Sequence, residues 1–271
     1  MSTEQLQPKV VLITGCSAGG IGAYLAREFA QHGCVVYATA RRLEAMSELG
    51  VLGIHTLRLD VTQNDSIASM ARAIGADGRI DILVNNAGVS RLAPIIEHDI
   101  ADARGVFETN VLGVLALTQM VAPHMMKRRA GHIVNIGSIA GSYSSSKAAM
   151  HAITDILRME LLPFDVNVTL IYGGLIQTNI IPGGAEQSSL REDSLYSSFK
   201  SRIDTLLNVS QSSGAMPVEV FAQRVVNKLL RRSPPNKIYC GGYVTFSWLL
   251  SLMPHWIKAG GSCRQASSLA S

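Results

Sequence analysis

The sequence predicts a single-domain α/β protein with a doubly wound parallel sheet and helices on both faces. Short apolar runs rich in Val and Ile alternate with amphipathic stretches, which is typical of repeated strand-helix-strand units. Hydrophobic residues make up 47% and charged residues 16% of the 271 residues, so the chain can bury a sizeable core. Because no break divides this pattern, we expect one domain over 1–271.

The elements follow from the apolar runs. Seven strands are expected at 10–14, 35–40, 55–59, 82–85, 133–136, 167–171 and 237–240. Helices are expected at 21–32, 42–49, 100–129, 143–161 and 217–231, with Pro123 marking a kink or a boundary. The polar segment 182–214 interrupts the pattern, and we interpret it as a lid or loop insertion. The last residues, from about 260, are expected to form a loose tail.

Charge and cysteine usage exclude several classes of protein. The formal charge of +4 is modest, and the short basic runs at 127–129 and 231–232 suit solvated helix ends, so we expect no nucleic-acid partner. The four cysteines, Cys16, Cys34, Cys240 and Cys263, show no CxxC spacing and follow no signal peptide. We therefore expect neither a metal site nor a disulfide framework, and an intracellular, cytoplasmic location.

One apolar stretch bears on membranes. Residues 243–257 are apolar but interrupted by polar residues, and they are shorter than the roughly 20 residues that a spanning helix needs. This stretch is expected to allow peripheral docking on a membrane without crossing it.

A glycine-rich turn, TGCSAGGIG, follows the first strand and opens the first helix. Gly15, Gly20 and Gly22 permit a tight turn and close approach of the backbone to a diphosphate, whose charge the helix N-terminus favours. The position of the turn in the first strand-helix-strand unit predicts a dinucleotide site.

The end of the second strand predicts which dinucleotide binds. It carries Arg41 and Arg42 where an NAD-binding protein usually has an acidic residue. A guanidinium matches the 2′-phosphate of NADP(H), which is the cofactor we expect. The alternative is that both arginines are exposed charges at a helix start.

Tyr143 and Lys147 are four residues apart and would share one helix face. A nearby ammonium lowers the pKa of a phenol, so Tyr143 could act as general acid toward a carbonyl or as general base toward an alcohol. The pair gains specificity from Asn85-Asn86-Ala87-Gly88, from Asn110 and Ser138, and from the segment 174–178.

With these motifs in this order, residues 8–240 resemble the classical short-chain dehydrogenase/reductase family, which has a Rossmann-type fold. The TGCSAGGIG turn, the ATARR strand end and RMEL at 158–161 are similar to its fungal branch containing 1-acyldihydroxyacetone-phosphate reductase. That branch also includes reductases of specialised metabolism, and some of its members associate with membranes or lipid droplets.

The resemblance implies roles for the site residues. Tyr143 would donate the proton, Lys147 would hold the nicotinamide ribose, Ser138 would polarise the substrate carbonyl, and Asn110 would hold a relay water. Cofactor contacts are implied for Gly15, Ser17, Gly20, Ile21, Gly22, Arg41, Asp60, Val61, Asn86, Ala87, Gly88, Asn110, Tyr143, Lys147, Ile176 and Thr178. The expected reaction is NADPH-dependent reduction of a ketone or aldehyde, or its reverse, on a lipid-like or specialised-metabolite substrate.

Structural alternatives stay open for several residues. Ser138 would otherwise be a strand-end hydroxyl, and Asn110 a buried amide between helix and sheet. His132 and His151 are interpreted as surface or packing residues, and Tyr172 either lines the pocket or packs.

The chain departs from the family between Ser138 and Tyr143, which only four residues separate where the family has about a dozen. Five residue steps span at most about 17 Å, so both hydroxyls could still converge. The missing loop predicts a wider mouth, a displaced helix or an inactive site. The second hypothesis is therefore a cofactor-binding protein without redox turnover.

The resemblance also implies an assembly. Helices around 106–121 and 148–161 commonly pair subunits in the family, so we expect a homodimer or homotetramer. The expected location is cytoplasmic, with peripheral contact to the endoplasmic reticulum or to lipid droplets.

Overall fold

The structure, a computed structural model, describes residues 7–74, 79–91, 94–139, 145–178, 190, 193–201, 214–245 and 249. Tyr143 lies outside these residues. So do most of the predicted lid at 182–214, nearly all of the apolar stretch at 243–257, and the predicted tail.

Within the described residues, seven parallel strands form one sheet in the order β3-β2-β1-β4-β5-β6-β9. The strands are β1 (Val10–Thr14), β2 (Val35–Ala40), β3 (His55–Arg58), β4 (Ile82–Asn85), β5 (Gly131–Ile136), β6 (Val166–Gly173) and β9 (Lys237–Cys240). A separate parallel pair joins β7 (Ile176–Gln177) to β8 (Met216–Pro217). The strand order reverses between β1 and β4, which creates a crevice at the carboxyl ends of those strands.

The helices cover both faces of the sheet. They are α1 (Ile21–Gln31), α2 (Ser47–Val51), α3 (Asn64–Ile74), α4 (Ile100–Phe107), α5 (Gly113–Arg128), α6 (Ser145–Leu161) and α7 (Val218–Leu229). Because side chains alternate along a strand, Val11 and Ile13 of β1 pack on the side of α1 and α7, whereas Leu12 packs on the side of α3 and α5. Burial on both faces explains why the central strands β1 and β4 are nearly continuous apolar runs, whereas the edge strand β3 is partly exposed.

The predicted fold class and the seven predicted strands are confirmed, with shifts of one or two residues at strand ends. The predicted helix at 42–49 is a 3-10 turn, Leu43–Met46, followed by α2. Helix α3 was not predicted, and it buries only Ile67 and Met70. Helix α5 continues through Pro123, so this proline is not a helix boundary.

One helical run, Ile100–Arg128, contains α4, a π-helical turn at Glu108–Leu112, and α5. Of the described residues, it is the one run long and apolar enough to cross a membrane, but 44% of its most apolar window is buried inside the protein. Leu117, Val121 and Met125 face the sheet with almost no exposure. The run is therefore a core helix of the fold.

Candidate active site

The predicted site segments meet at the carboxyl edge of the sheet. The glycine turn follows β1, the loop with Asn86 and Gly88 follows β4, and Ser138 follows β5. These strands are neighbours in the order β1-β4-β5, so the three segments lie side by side at the crevice.

The glycine turn is fastened to the loop after β4. The Thr14 hydroxyl accepts from the backbone N–H groups of Asn86 and Ala87 at 3.0 and 2.9 Å. In return, the Asn86 side-chain amide donates to the carbonyls of Thr14 and Gly15 at 2.7 and 3.0 Å. Asn86 therefore positions the turn, and its implied contact with the cofactor stays a prediction.

Two glycines make this close approach possible. Gly15 has a φ of +73°, and a Cβ there would lie 2.7 Å from the Cα of Ala87. A Cβ at Gly22 would lie 2.5 Å from the Gly15 carbonyl oxygen and 2.6 Å from the Asn86 amide nitrogen. Side chains at these positions would push the turn away from β4 and fill the cradle.

The start of α1 fits an anion. Gly20 is the N-cap, it provides no side-chain hydrogen bond to the helix, and the first turn carries no acidic residue. The leading N–H groups of α1, at Ile21 and Gly22, are thus left for an external acceptor, and the helix dipole favours negative charge there. Ser17 lies exposed on the turn, with its carbonyl accepting from Gly20 N–H at 3.0 Å. These residues fit a diphosphate.

Arg41 directly follows β2 and is exposed. Within the described part of the chain, the guanidinium groups of Arg41 and Arg42 form no ion pair and no hydrogen bond. An exposed guanidinium at this strand end is placed as a 2′-phosphate ligand would require.

Asp60 and Val61 follow β3 at the same edge. The Asp60 carboxylate accepts from the backbone N–H and the hydroxyl of Thr62 at 3.0 and 2.8 Å, which fixes the local turn. Val61 packs against the helical run, since a Cβ at Gly113 would lie 2.8 Å from Val61 Cγ2. The contact with the cofactor that the resemblance implies for both residues stays a prediction.

Asn110 lies in the π-helical turn and is buried. Its Oδ1 accepts from Val89 N–H at 2.9 Å, and its Nδ2 donates to the Val89 carbonyl at 2.9 Å and to Ser146 Oγ at 3.1 Å. The amide therefore joins the loop after β4 to the start of α6. Both amide hydrogens are in use, and the implied role of Asn110 in holding a relay water stays a prediction.

Lys147 lies in the first turn of α6, and its Nζ donates to the Ile136 carbonyl at the end of β5, at 2.9 Å. Burial lowers the pKa of Lys147 to about 8. A Cβ at Gly88 would lie 3.7 Å from Lys147 Nζ and 3.3 Å from Asn110 Oδ1, so Gly88 leaves room between them. The remaining N–H bonds of Lys147 can serve a ribose hydroxyl or a phenol.

Ser138 is placed two residues after β5, between the ends of β4 and β6. Helix α6 is described from Ser145, so the predicted start at 143 and the position of Tyr143 lie outside the described residues. Ile176 and Thr178 are both buried, in and just after β7. The roles implied for these four residues stay predictions.

A buried polar chain behind the site was missed by sequence reasoning. Asn85 Nδ2 donates to Asn135 Oδ1 at 2.8 Å, and Asn135 Nδ2 donates to Thr154 Oγ1 at 2.9 Å. All three residues are buried, and they join β4 and β5 to α6. The signal in the sequence was an asparagine near the end of each of two neighbouring strands. The hydrogen bonds between these three side chains fix the position of α6, and with it Lys147, relative to the sheet.

The histidines have packing roles, as predicted. His132 is buried, with Nε2 2.8 Å from Thr169 Oγ1. His151 packs against Tyr172 with its ring tilted by 57° and the ring centroids 4.7 Å apart, and Tyr172 stacks on Tyr239 with centroids 4.6 Å apart. Packing is thus the role that the structure gives Tyr172.

The reversed strand order, the glycine cradle and the lysine-asparagine pair beside it define a dinucleotide-binding α/β protein. The sequence pattern of the family described as short chain dehydrogenase matches residues 9–187. The chain belongs to this family.

Individual proteins agree with this assignment. The chain is 39% identical to the short-chain dehydrogenase PC-15 of Penicillium crustosum, over 94% of this chain and 96% of that protein. It is 38% identical to the NADPH-dependent 1-acyldihydroxyacetone phosphate reductase of Schizosaccharomyces pombe, over 83% of this chain and 79% of that protein. A solved structure of serine dehydrogenase complexed with NADP+ matches with a TM-score of 0.74 at 30% identity, over 86% of this chain and 94% of that one.

Proposed function

We propose that the protein is an NADPH-dependent carbonyl reductase, or the reverse alcohol dehydrogenase. The observation that carries the proposal is the meeting of Lys147 Nζ and the Asn110 amide at Gly88, beside the glycine cradle. This places a cation and a fixed amide where the reactive end of a dinucleotide would lie.

The choice of NADPH over NADH rests on charge. Arg41 is exposed at the end of β2, and the segment Thr39-Ala40-Arg41-Arg42 has no acidic residue to accept from ribose hydroxyls. The name of the Schizosaccharomyces pombe relative and the NADP+ in the serine dehydrogenase structure agree with this choice.

Different residues would bind the cofactor and transfer the proton. Gly15, Gly20 and Gly22 accommodate the diphosphate, and Lys147 holds the nicotinamide ribose. When bound, NADPH supplies a hydride to the carbonyl carbon and becomes NADP+. Tyr143 gives its phenolic proton to the carbonyl oxygen, while Ser138 donates a hydrogen bond to the same oxygen. A positive charge on Lys147 close to the phenol would assist the transfer by stabilising the phenolate that remains.

The proposed substrate is a ketone on a lipid-like molecule or a specialised metabolite. The name of the Schizosaccharomyces pombe relative gives an acylated dihydroxyacetone phosphate, which is such a ketone.

A second candidate is a cofactor-binding protein without redox turnover. The short link between Ser138 and Tyr143 favours it, because four intervening residues leave little freedom to bring both hydroxyls to one oxygen.

The test compares the wild type with Tyr143→Phe and a matched control, Tyr37→Phe in β2. NADPH and NADH binding is titrated by fluorescence, and turnover is followed as loss of NADPH absorbance. The substrates are methyl ketones of increasing chain length and an acylated dihydroxyacetone phosphate. We expect tighter binding of NADPH than NADH, and a loss of turnover of at least about 100-fold in Tyr143→Phe only. Tight binding without turnover in the wild type would favour the second candidate.

We also propose a homodimer or homotetramer that is cytoplasmic and touches membranes peripherally through 243–257. Exposed apolar side chains on the helical run and on α6 support the assembly, namely Phe107, Leu112, Ile156 and Met159. The apolar composition of 243–257 supports the membrane contact.

A further inference from the structure

We propose that Glu97 is a positioning residue that fastens segment 193–201 to the loop after β4, as a roof over the carboxyl end of β5. The substrate-binding role of this roof rests on the proposed reductase function. The hydrogen bonds that form it are features of the fold itself.

Glu97 uses both carboxylate oxygens for this contact. Its Oε2 accepts from the Ser194 hydroxyl at 2.7 Å, and its Oε1 accepts from Leu195 N–H at 3.1 Å. Ser194 Oγ also accepts from Tyr196 N–H at 3.0 Å, and Ser194 is buried. The Glu97 link thus orders three consecutive residues of a segment almost 100 positions away in sequence.

The sheet order shows what this link crosses. The loop bearing Glu97 leaves the carboxyl end of β4. Segment 193–201 belongs to the excursion between β7 and β8, which leaves the carboxyl end of β6 and returns to pair with β7. Strand β5 lies between β4 and β6, which are about 10 Å apart. A connection between these two excursions therefore spans the end of β5, where Ser138 lies.

Hydrogen bonds involving Glu97 and Ser194 connect residues 194–196 of this segment. Leu195 is 82% exposed and Phe199 is 44% exposed, so apolar burial contributes weakly there. Hydrogen bonds to a carboxylate are stronger than those between neutral groups. The Glu97 link is therefore the main attachment of residues 194–196 that the described structure contains, and its loss would loosen these three residues.

Loss of the Glu97 link is expected to weaken binding of the substrate and to leave binding of the cofactor unchanged. The glycine cradle and Arg41 lie on the β1 and β2 side of the crevice, whereas the roof lies on the β4 to β6 side. Loosening it should raise the KM for the carbonyl substrate and leave the Kd for NADPH unchanged.

The experiment uses full-length Glu97→Ala, Glu97→Gln and Ser194→Ala, with Glu160→Ala as a matched exposed carboxylate on α6. Steady-state kinetics with methyl ketones and NADPH give kcat and KM, and fluorescence gives the Kd for NADPH. Amide hydrogen exchange at Leu195 and Tyr196 reports the attachment independently of turnover.

We expect Glu97→Ala to raise KM by about tenfold with kcat changed less than about threefold, and to speed exchange at Leu195 and Tyr196. Glu97→Gln, which keeps one acceptor oxygen, should show a smaller rise, and Glu160→Ala none. In the double variant, Ser194→Ala should add nothing to the exchange rate at Leu195 seen in Glu97→Ala, whereas exchange at Tyr196 should speed further because Tyr196 N–H loses its acceptor.

Three results would overturn the proposal. One is unchanged exchange in Glu97→Ala, because the segment would then be held otherwise. Another is faster exchange with unchanged KM, which would leave the reductase function intact and remove only the positioning role. A wild type that binds NADPH but turns over no ketone would overturn both proposals together.

Discussion

At the scale of the residue, the site depends on places where a side chain has no room. Gly15 and Gly33 have nearly the same left-handed backbone, with φ of +73° and +76°. A Cβ at Gly15 would meet the backbone of Ala87, whereas a Cβ at Gly33 would meet nothing within 4 Å. Substitutions at the two glycines therefore separate the cost of backbone strain from the cost of a steric clash.

We expect Gly15→Ala to lower the free energy of unfolding by about 3 kcal/mol or more and to weaken NADPH binding more than tenfold, because strain and a clash act together. Gly33→Ala, the matched control, should cost about 1–2 kcal/mol from strain alone and leave the NADPH Kd unchanged. Urea unfolding and fluorescence titration measure both. Equal effects of the two substitutions would show that contact with Ala87 is unimportant.

At the scale of the element, β5 and β6 are joined by a buried imidazole as well as by backbone hydrogen bonds. The Thr169 hydroxyl donates to the Pro235 carbonyl at 2.7 Å, so it accepts from Nε2–H of neutral His132. Burial, assisted by Lys9, lowers the pKa of His132 to about 3 from its ordinary 6.5. The protonated, charged form of His132 is therefore unfavourable between these two strands.

The stability of the protein should therefore fall in acid. Between about pH 6.5 and 3, the unfolded chain binds a proton at His132 that the folded chain does not, so stability is lost as pH decreases. The loss attributable to His132 at about pH 4.5 is about 3 kcal/mol relative to neutral pH.

Urea unfolding at neutral pH and at about pH 4.5 tests this for the wild type and His132→Gln, which keeps a donor for Thr169. The difference in unfolding free energy between the two pH values should be smaller in the variant by about 3 kcal/mol. The same difference in both proteins would mean that another group causes the acid sensitivity.

At the scale of the whole molecule, the outer surface of two neighbouring helices is apolar. On α6, Ile156 and Met159 are 49% and 69% exposed, and they lie three residues apart on one face. Leu112 in the π turn is 48% exposed, and the π turn contacts α6 through Asn110 and Ser146. A surface of this kind is typical of a subunit interface.

We expect Met159→Glu to reduce the molar mass of the particle by about half or more, because a buried carboxylate would oppose association. Val51→Glu, which replaces an apolar side chain that is 88% exposed on α2, is the matched control and should leave the mass unchanged. Size-exclusion chromatography with light scattering measures both. A wild type that is monomeric would contradict the proposed assembly.

Much of the fold and part of the site could be predicted because their signals are local. Strands β1, β2 and β4 are largely apolar runs, and the turn after β1 gathers its glycines within eight residues. Helix α3 was missed because its buried face is small, and the polar chain Asn85-Asn135-Thr154 because it joins residues far apart in sequence. Hydrogen-bond partners that are distant in sequence leave no local pattern from which they could be predicted.

The sequence by itself determined the fold class, the cradle with its glycines, and the candidate residues Asn110, Ser138, Tyr143 and Lys147. The fold class, the cradle and the Tyr143–Lys147 pair follow from residue type, periodicity or spacing along a short stretch of chain, whereas Asn110 and Ser138 were implied by the resemblance to the family, and the roles of all four residues stay predictions. Only the tertiary structure decided that Lys147 Nζ donates a hydrogen bond to the end of β5. It also decided that the Asn110 amide bonds to Val89 and Ser146, and that the Glu97 carboxylate accepts from Ser194. These contacts depend on how the strands are ordered and how the helices pack on them, which is a property of the whole chain.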